Sequence, residues 1–147
     1  MTEVRVRVHI DAPRERVFDA VSDHEAFLQH AADGTSAKVV RPGAVDLNGL
    51  GCLREVSVAN RASYVEEITA WQRSASFEYT IRKTSLPLRH EVSRLTFTAT
   101  GAGTDVEWTS RFAITVPIIG PLLGALARRR FAAAFTALLL AAKARLE

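Results

Sequence analysis

The chain is poor in the residues that most often announce a chemistry. Cys52 is its only cysteine, so it can form no internal disulfide and no zinc site built on cysteines. Of four histidines, His24 and His30 stand too far apart for helical neighbours and do not alternate as strand ligands do. His9 and His90 fall on faces that alternation turns outward. No metal site is expected, and no cofactor. Basic residues are dispersed as well. Arg128, Arg129 and Arg130 form the one run, and three successive helical positions spread over most of a turn. A net charge of +3 without a clustered basic face argues against nucleic-acid binding. Long apolar runs are also lacking. Residues 112–127 contain Pro117 and Pro121 and stop at the arginines, and 131–142 falls short of the ~20 residues a membrane helix needs. The start, Met1-Thr2-Glu3-Val4-Arg5, has no apolar signal core. A cytoplasmic chain without a stably inserted segment is expected.

What is present is an ordinary globular composition, 48% apolar over 147 residues, with no repeat, linker or low-complexity stretch. One domain spanning 1–147 is expected. Val4, Val6, Val8 and Ile10 alternate with polar residues as a half-buried strand does. Asp11-Ala12-Pro13 ends that strand and opens a short helix, where proline's missing N–H costs nothing. Ser22 with Glu25 reads as a capping box for a second short helix. Strands follow at 37–41, 52–59, 62–71, 75–82, 91–100 and 104–116, with a turn centred on Asn60. An amphipathic helix over 118–146 closes the chain. One helix cannot cover so long an antiparallel sheet unless the sheet curls around it. A curled sheet leaves a hollow, and its many alanines make the helix a poor filler.

Alternation then assigns faces. Arg54, Val56, Tyr64, Glu66, Ile68, Phe77, Tyr79, Glu91, Ser93, Trp108, Ser110 and Phe112 point inward, with Cys52 as a small inward filler. Trp71 falls on the outer face at its strand end. Turn positions, including a two-residue turn at Gln72-Arg73, predict a row across the inner face: Arg54, Glu66, Tyr79, Glu91, Phe112. Buried polar groups need partners. Arg54 with Glu66 is the obvious pair, read either as a structural ion pair or as a polar strip that orients a ligand's hydroxyl, carbonyl or carboxyl group.

Several motifs carry a resemblance. Ile10-Asp11-Ala12-Pro13-Arg14-Glu15-Arg16-Val17-Phe18 resembles the opening of the START-like, Bet v 1-like (SRPBCC) superfamily. Glu67-Ile68-Thr69-Ala70-Trp71 and Phe77-Glu78-Tyr79 resemble its central hairpin. Leu86-Pro87-Leu88-Arg89, Gly103-Thr104-Asp105-Val106-Glu107-Trp108 and Val116-Pro117-Ile118-Ile119-Gly120 are similar to its polyketide cyclase/dehydrase and lipid-transport branch. The resemblance implies an α+β helix-grip fold: a curved seven-stranded antiparallel sheet around a long C-terminal helix, with two short helices after the first strand. It also implies a hydrophobic small molecule, such as a lipid, polyketide or aromatic metabolite, held between sheet and helix.

The expected ligand-binding residues are Arg54, Tyr64, Glu66, Phe77, Tyr79, Glu91, Ser93, Trp108, Ser110, Phe112, Leu123 and Phe131. Leu86, Leu88, Ile118, Ile119 and Leu122 are expected at the mouth, as an apolar lip that admits the ligand or touches a membrane transiently. Two alternatives stay open. One is a cyclase or dehydratase in which Glu66 or Glu91 moves a proton, Arg54 polarises a carbonyl and Tyr79 positions it. The other is an interaction or stress module with no ligand. Monomer and homodimer both remain open.

Overall fold

The computed structural model describes residues 1–31, 34–58 and 62–147, so the expected turn at Asn60 lies outside the described residues. In chain order the elements are β1 (Thr2–Ile10), α1 (Arg14–Ser22), α2 (His24–Leu28), β2 (Ser36–Arg41), β3 (Leu53–Val58), β4 (Ala62–Gln72), β5 (Ser76–Thr84), β6 (Leu88–Thr100), β7 (Gly103–Ile114) and α3 (Gly120–Leu146). The strands form one antiparallel sheet of seven in the order β1-β7-β6-β5-β4-β3-β2. This is the helix-grip arrangement, with α1 and α2 after the first strand and α3 laid against the sheet.

Local chemistry explains the boundaries. Pro13, at φ −60° and ψ 146°, immediately precedes α1. The cap of α2 differs from the expected Ser22/Glu25 box. Asp23 is the capping residue, its carboxylate accepting from the Ala26 N–H at 3.3 Å. Glu25 instead reaches β2, where it accepts from the Val39 N–H at 2.7 Å. Ser22 is buried as the last residue of α1.

Phe18 of α1 plugs one end of the core. Its ring meets Trp71, Phe77 and Phe97 edge-on at 5.0, 5.9 and 5.0 Å, pairs that typically add ~0.5–1.5 kcal/mol each beyond their buried area. α3 approaches the sheet most closely along β1 and β7, and α1 packs on it as well. Gly124 allows that approach, since a Cβ there would stand 2.6 Å from Thr2 Oγ1. Only Gly120, Gly124, Leu139 and Ala142 of α3 are fully buried. Leu123, Ala127, Phe131, Phe135 and Leu138 are half-buried, and Ala134 is exposed.

The predicted row is interrupted by bulges. Arg54 does face Glu66. The turn after β4 spans three residues, because Gln72 pairs with Ser76. A register shift between Ile68 and Ala70 then places Tyr79 opposite Ile68 and Ile81 opposite Glu66, and another shift follows between Glu66 and Val65. The shift between Ile68 and Ala70 also turns Trp71 onto the aromatic cluster around Phe18, rather than the outer face expected of it. A third shift, between His90 and Val92, makes Glu91 the extra residue. Each bulge resets the alternation from which faces were read.

Candidate functional site

The inner face of the sheet carries a continuous strip of buried polar groups. At its centre Arg54 of β3 donates from Nε to Glu66 Oε1 of β4 at 2.7 Å, the two side chains being 1% and 3% exposed. His24, the first residue of α2, brings Nε2 to the same carboxylate oxygen at 3.3 Å and is equally buried. The Arg54 guanidinium lies over the Tyr79 ring, 5.0 Å from its centroid. Tyr79 in turn accepts from Trp108 Nε1 at 3.2 Å.

A second network continues from Tyr79 across β6 and β7. Ser93 lies opposite both Tyr79 and Ser110 and donates to Ser110 Oγ at 2.8 Å. His90 stacks on Tyr79 at 5.9 Å between centroids. The backbone N–H of Ile81 donates to His90 Nδ1 at 3.0 Å, which fixes the tautomer. The proton therefore sits on Nε2, which donates to Ser93 Oγ at 2.7 Å. A histidine held this way cannot take a proton from serine, so His90 with Ser93 is a structural pair and not a nucleophile with its base.

The electrostatics follow from burial and from each group's neighbours. Burial alone would raise the Glu66 carboxyl, but Arg54 and His24 outweigh it and hold it at about 2. Burial, helped by the Arg54 charge, pushes His24 down to about 4 against the pull of Glu66. At neutral pH the cluster is thus one guanidinium, one carboxylate and one neutral imidazole, with no net charge. Burial and the Glu66 charge hold the Tyr79 phenol well above the usual range. Burial lowers His90 and raises the Cys52 thiol in spite of the Arg54 charge. Among the described residues, two buried side-chain atoms have no hydrogen-bond partner: His24 Nδ1 and Arg54 Nη2.

Of the residues expected to bind a ligand, Arg54, Glu66, Phe77, Tyr79, Ser93, Trp108, Ser110 and Phe112 all lie buried on the inner side. Tyr64, Leu123 and Phe131 are half-buried. Phe131 packs edge-on against Phe112 at 5.1 Å, while Trp108 stacks flat on Phe135 at 3.9 Å. Glu91 is a correction. The bulge puts it on the surface, paired with Arg111 at 3.0 Å and 45% exposed. His90 takes the inward place that parity had assigned to Glu91. His24 is the residue that reading by strand faces missed. It stands three and four positions before the buried Phe27 and Leu28, a helical spacing that marks it as inward-facing.

Where the mouth was expected, Leu88 pairs with Ile114 and Thr115 N–H donates to Pro87 O at 2.9 Å, so the β5–β6 loop meets the β7–α3 connection. Leu86, Ile119, Leu122 and Ile118 are 38%, 50%, 73% and 99% exposed. Two open depressions, of about 300 Å³ and 760 Å³, lie away from the polar strip, around Trp71 and Arg94 and around Val65 and Lys83. Among the described residues no group of His, Cys, Asp and Glu gathers as metal ligands, and no helix is long and apolar enough to cross a membrane.

An antiparallel sheet wrapped on one long helix, with a polar strip on its inner wall, is the helix-grip fold. The chain belongs to the polyketide cyclase/dehydrase and lipid transport family, whose model matches residues 1–147. Many solved structures share the fold, three of them as follows. The protein TTHA0849 from Thermus thermophilus is 24% identical, with a TM-score of 0.81 over 98% of this chain and 96% of that one. A START superfamily protein from Mycobacterium smegmatis is 14% identical, with a TM-score of 0.82 over 100% of both. Ara h 8.0201 is 13% identical, with a TM-score of 0.71 over 95% of this chain and 96% of that one. No curated protein matches the chain.

Proposed function

We propose that the protein binds a hydrophobic small molecule between the sheet and α3, and that the Arg54–Glu66–His24 cluster holds the molecule's polar end. The observation that carries this reading is the pair of unpartnered buried atoms. His24, neutral and tied through Nε2 to Glu66, presents a bare acceptor at Nδ1. Arg54 presents a free donor at Nη2. Leaving either unmet costs roughly 1–3 kcal/mol. A hydroxyl group supplies both functions these atoms lack, a donor for the first and an acceptor for the second. Because the cluster carries no net charge, an uncharged head suits it better than a carboxylate. The apolar body would lie against Tyr64 of β4 and Phe131 and Phe135 of α3, all three half-buried.

The test is a thermal-shift and native mass spectrometry panel of long-chain alcohols, sterols and phenolic polyketides beside hydrocarbons of matched size. Binding to the folded state alone raises the melting temperature by mass action. Hydroxylated ligands should raise it and matched hydrocarbons should not. No shift across the panel, together with no molecule retained on purification from the native host, would refute the reading.

One observation favours an enzymatic reading. The cluster holds both a bare imidazole nitrogen and a free guanidinium N–H, groups suited to enolising a ketone: Nδ1 takes the α-proton while Nη2 stabilises the enolate oxygen. His24 rather than Glu66 is then the base, since Glu66 is locked in its ion pair. Loss of α-deuterium from a bound deuterated ketone with the native protein, and none with His24→Gln, is the expected result. Equal exchange in both removes this assignment.

A further inference from the structure

The β7–α3 connection and the first turns of α3 form an apolar point that, among the described residues, no element covers. Ile118 is 99% exposed, Leu122 73%, Ile119 50% and Leu126 48%. Ile118 is also held at φ 68°, a left-handed conformation that strains a β-branched residue. A solvated, strained isoleucine contributes nothing to the packing of the fold. Leu122 and Leu126 lie one helical turn apart, Arg129 continues their stripe, and Arg128 and Arg130 flank it. All three arginines are exposed. Residues 109–146 include Arg111, Arg128, Arg129, Arg130, Lys143 and Arg145, and no aspartate or glutamate.

We propose that this segment docks the protein on an anionic lipid surface. Ile118, Ile119, Leu122 and Leu126 enter the boundary between headgroups and acyl chains, and Arg128, Arg129 and Arg130 meet lipid phosphates. The shape selects a bilayer over a protein partner. The patch is a projection and not a groove, and a fluid surface closes around a projection without a matching socket. The charge disfavours a second copy. A self-complementary contact on this face would bring two sets of three arginines together, with no carboxylate on the helix to offset them. The dimensions agree as well. Arg129 follows Leu126 by ~4.5 Å along the axis. In a tilted helix the leucines reach the ~5–10 Å depth of interfacial helices while the guanidinium groups stay at headgroup level. The docking stands whether or not the polar cluster holds a ligand.

The test is flotation of the full chain with vesicles of phosphatidylcholine alone and of phosphatidylcholine mixed with phosphatidylglycerol. Binding is expected to the mixed vesicles only, and to weaken as salt rises. The triple variant Arg128→Gln, Arg129→Gln, Arg130→Gln should weaken it on the order of a hundredfold. Ile118→Asn should weaken it too while raising the melting temperature, because asparagine tolerates the left-handed backbone. That opposite movement separates docking from folding. Equal binding to both vesicle types, no binding to either, or a dimer in sedimentation velocity that Leu122→Ser abolishes would each overturn the proposal.

Discussion

Arg54 and Glu66 face each other across the β3–β4 ladder, joined Nε to Oε1 at 2.7 Å, with both side chains almost wholly withdrawn from water. Removing one partner from such a pair strands the other's charge, at a cost of about 3–5 kcal/mol. Glu66→Leu should therefore lower the unfolding free energy by about that much. Arg54→Met combined with Glu66→Leu should recover most of the loss, because no buried charge remains. Urea denaturation of the two single variants and the double gives the coupling. Additive losses would mean that the pair is not isolated from solvent.

Stability should fall as the solution is acidified, beginning well above the ordinary carboxylate range. His24 titrates near 6.5 in the unfolded chain and at about 4 in the folded protein. Between these values the unfolded chain binds more protons, so folding weakens as pH drops, on the order of 3 kcal/mol by pH 4. Below about 4.5, Glu66 adds a loss in the same direction, because its folded value lies at about 2. Above 6.5 neither group contributes a slope. Denaturation curves from pH 8 to pH 4 should show the native protein losing stability faster than His24→Gln between 6.5 and 4. Parallel profiles would contradict a buried neutral His24.

Tyr79 should resist ionisation. Burial and the nearby Glu66 charge keep its phenol above the usual range. In an alkaline absorbance titration its tyrosinate signal should appear late, or only with unfolding, and Tyr79→Phe should delete that late component. The Trp108 emission should change in the same variant, since its indole N–H loses its acceptor.

Ile118→Asn should stabilise the protein by about 1 kcal/mol, the lower end of the cost of holding a non-glycine residue at positive φ. Nothing packs on the side chain that would be lost, as its exposure is 99%. Thermal melts of the purified variant check this, and a lowered midpoint would show that the isoleucine makes a contact in solution.

Gly124→Val should push α3 away from β1. The added atoms meet Thr2 Oγ1, and overpacking of this kind costs about 1–3 kcal/mol. Pairing the substitution with Thr2→Ala should restore much of the loss, measured by the same melts.

Much of the architecture was legible because period is a local property. Val4, Val6, Val8 and Ile10 alternate, the Asp11-Ala12-Pro13 break is a short-range signal, and the motif order carried the helix-grip resemblance. The Arg54–Glu66 pairing was legible for the same reason, since β3 and β4 pair with no register shift between them. Glu91 and Trp71 were misassigned because a bulge inserts one residue and inverts every face beyond it. Ladder hydrogen bonding decides where the bulge falls, and no residue type announces it.

His24 shows the other limit. Its spacing to Phe27 and Leu28 was readable, but its meeting with Glu66 joins two positions distant in sequence and depends on how α2 seats against the sheet. By itself the sequence determined the elements, their order and the inward polar pair, because these follow from periodicity and hairpin geometry. Only the tertiary structure decided that His24 completes the cluster, that His90 replaces Glu91 at the inner wall, and that Ile118 projects into solvent. Those facts rest on bulges and on helix placement, which are set by packing across the whole domain.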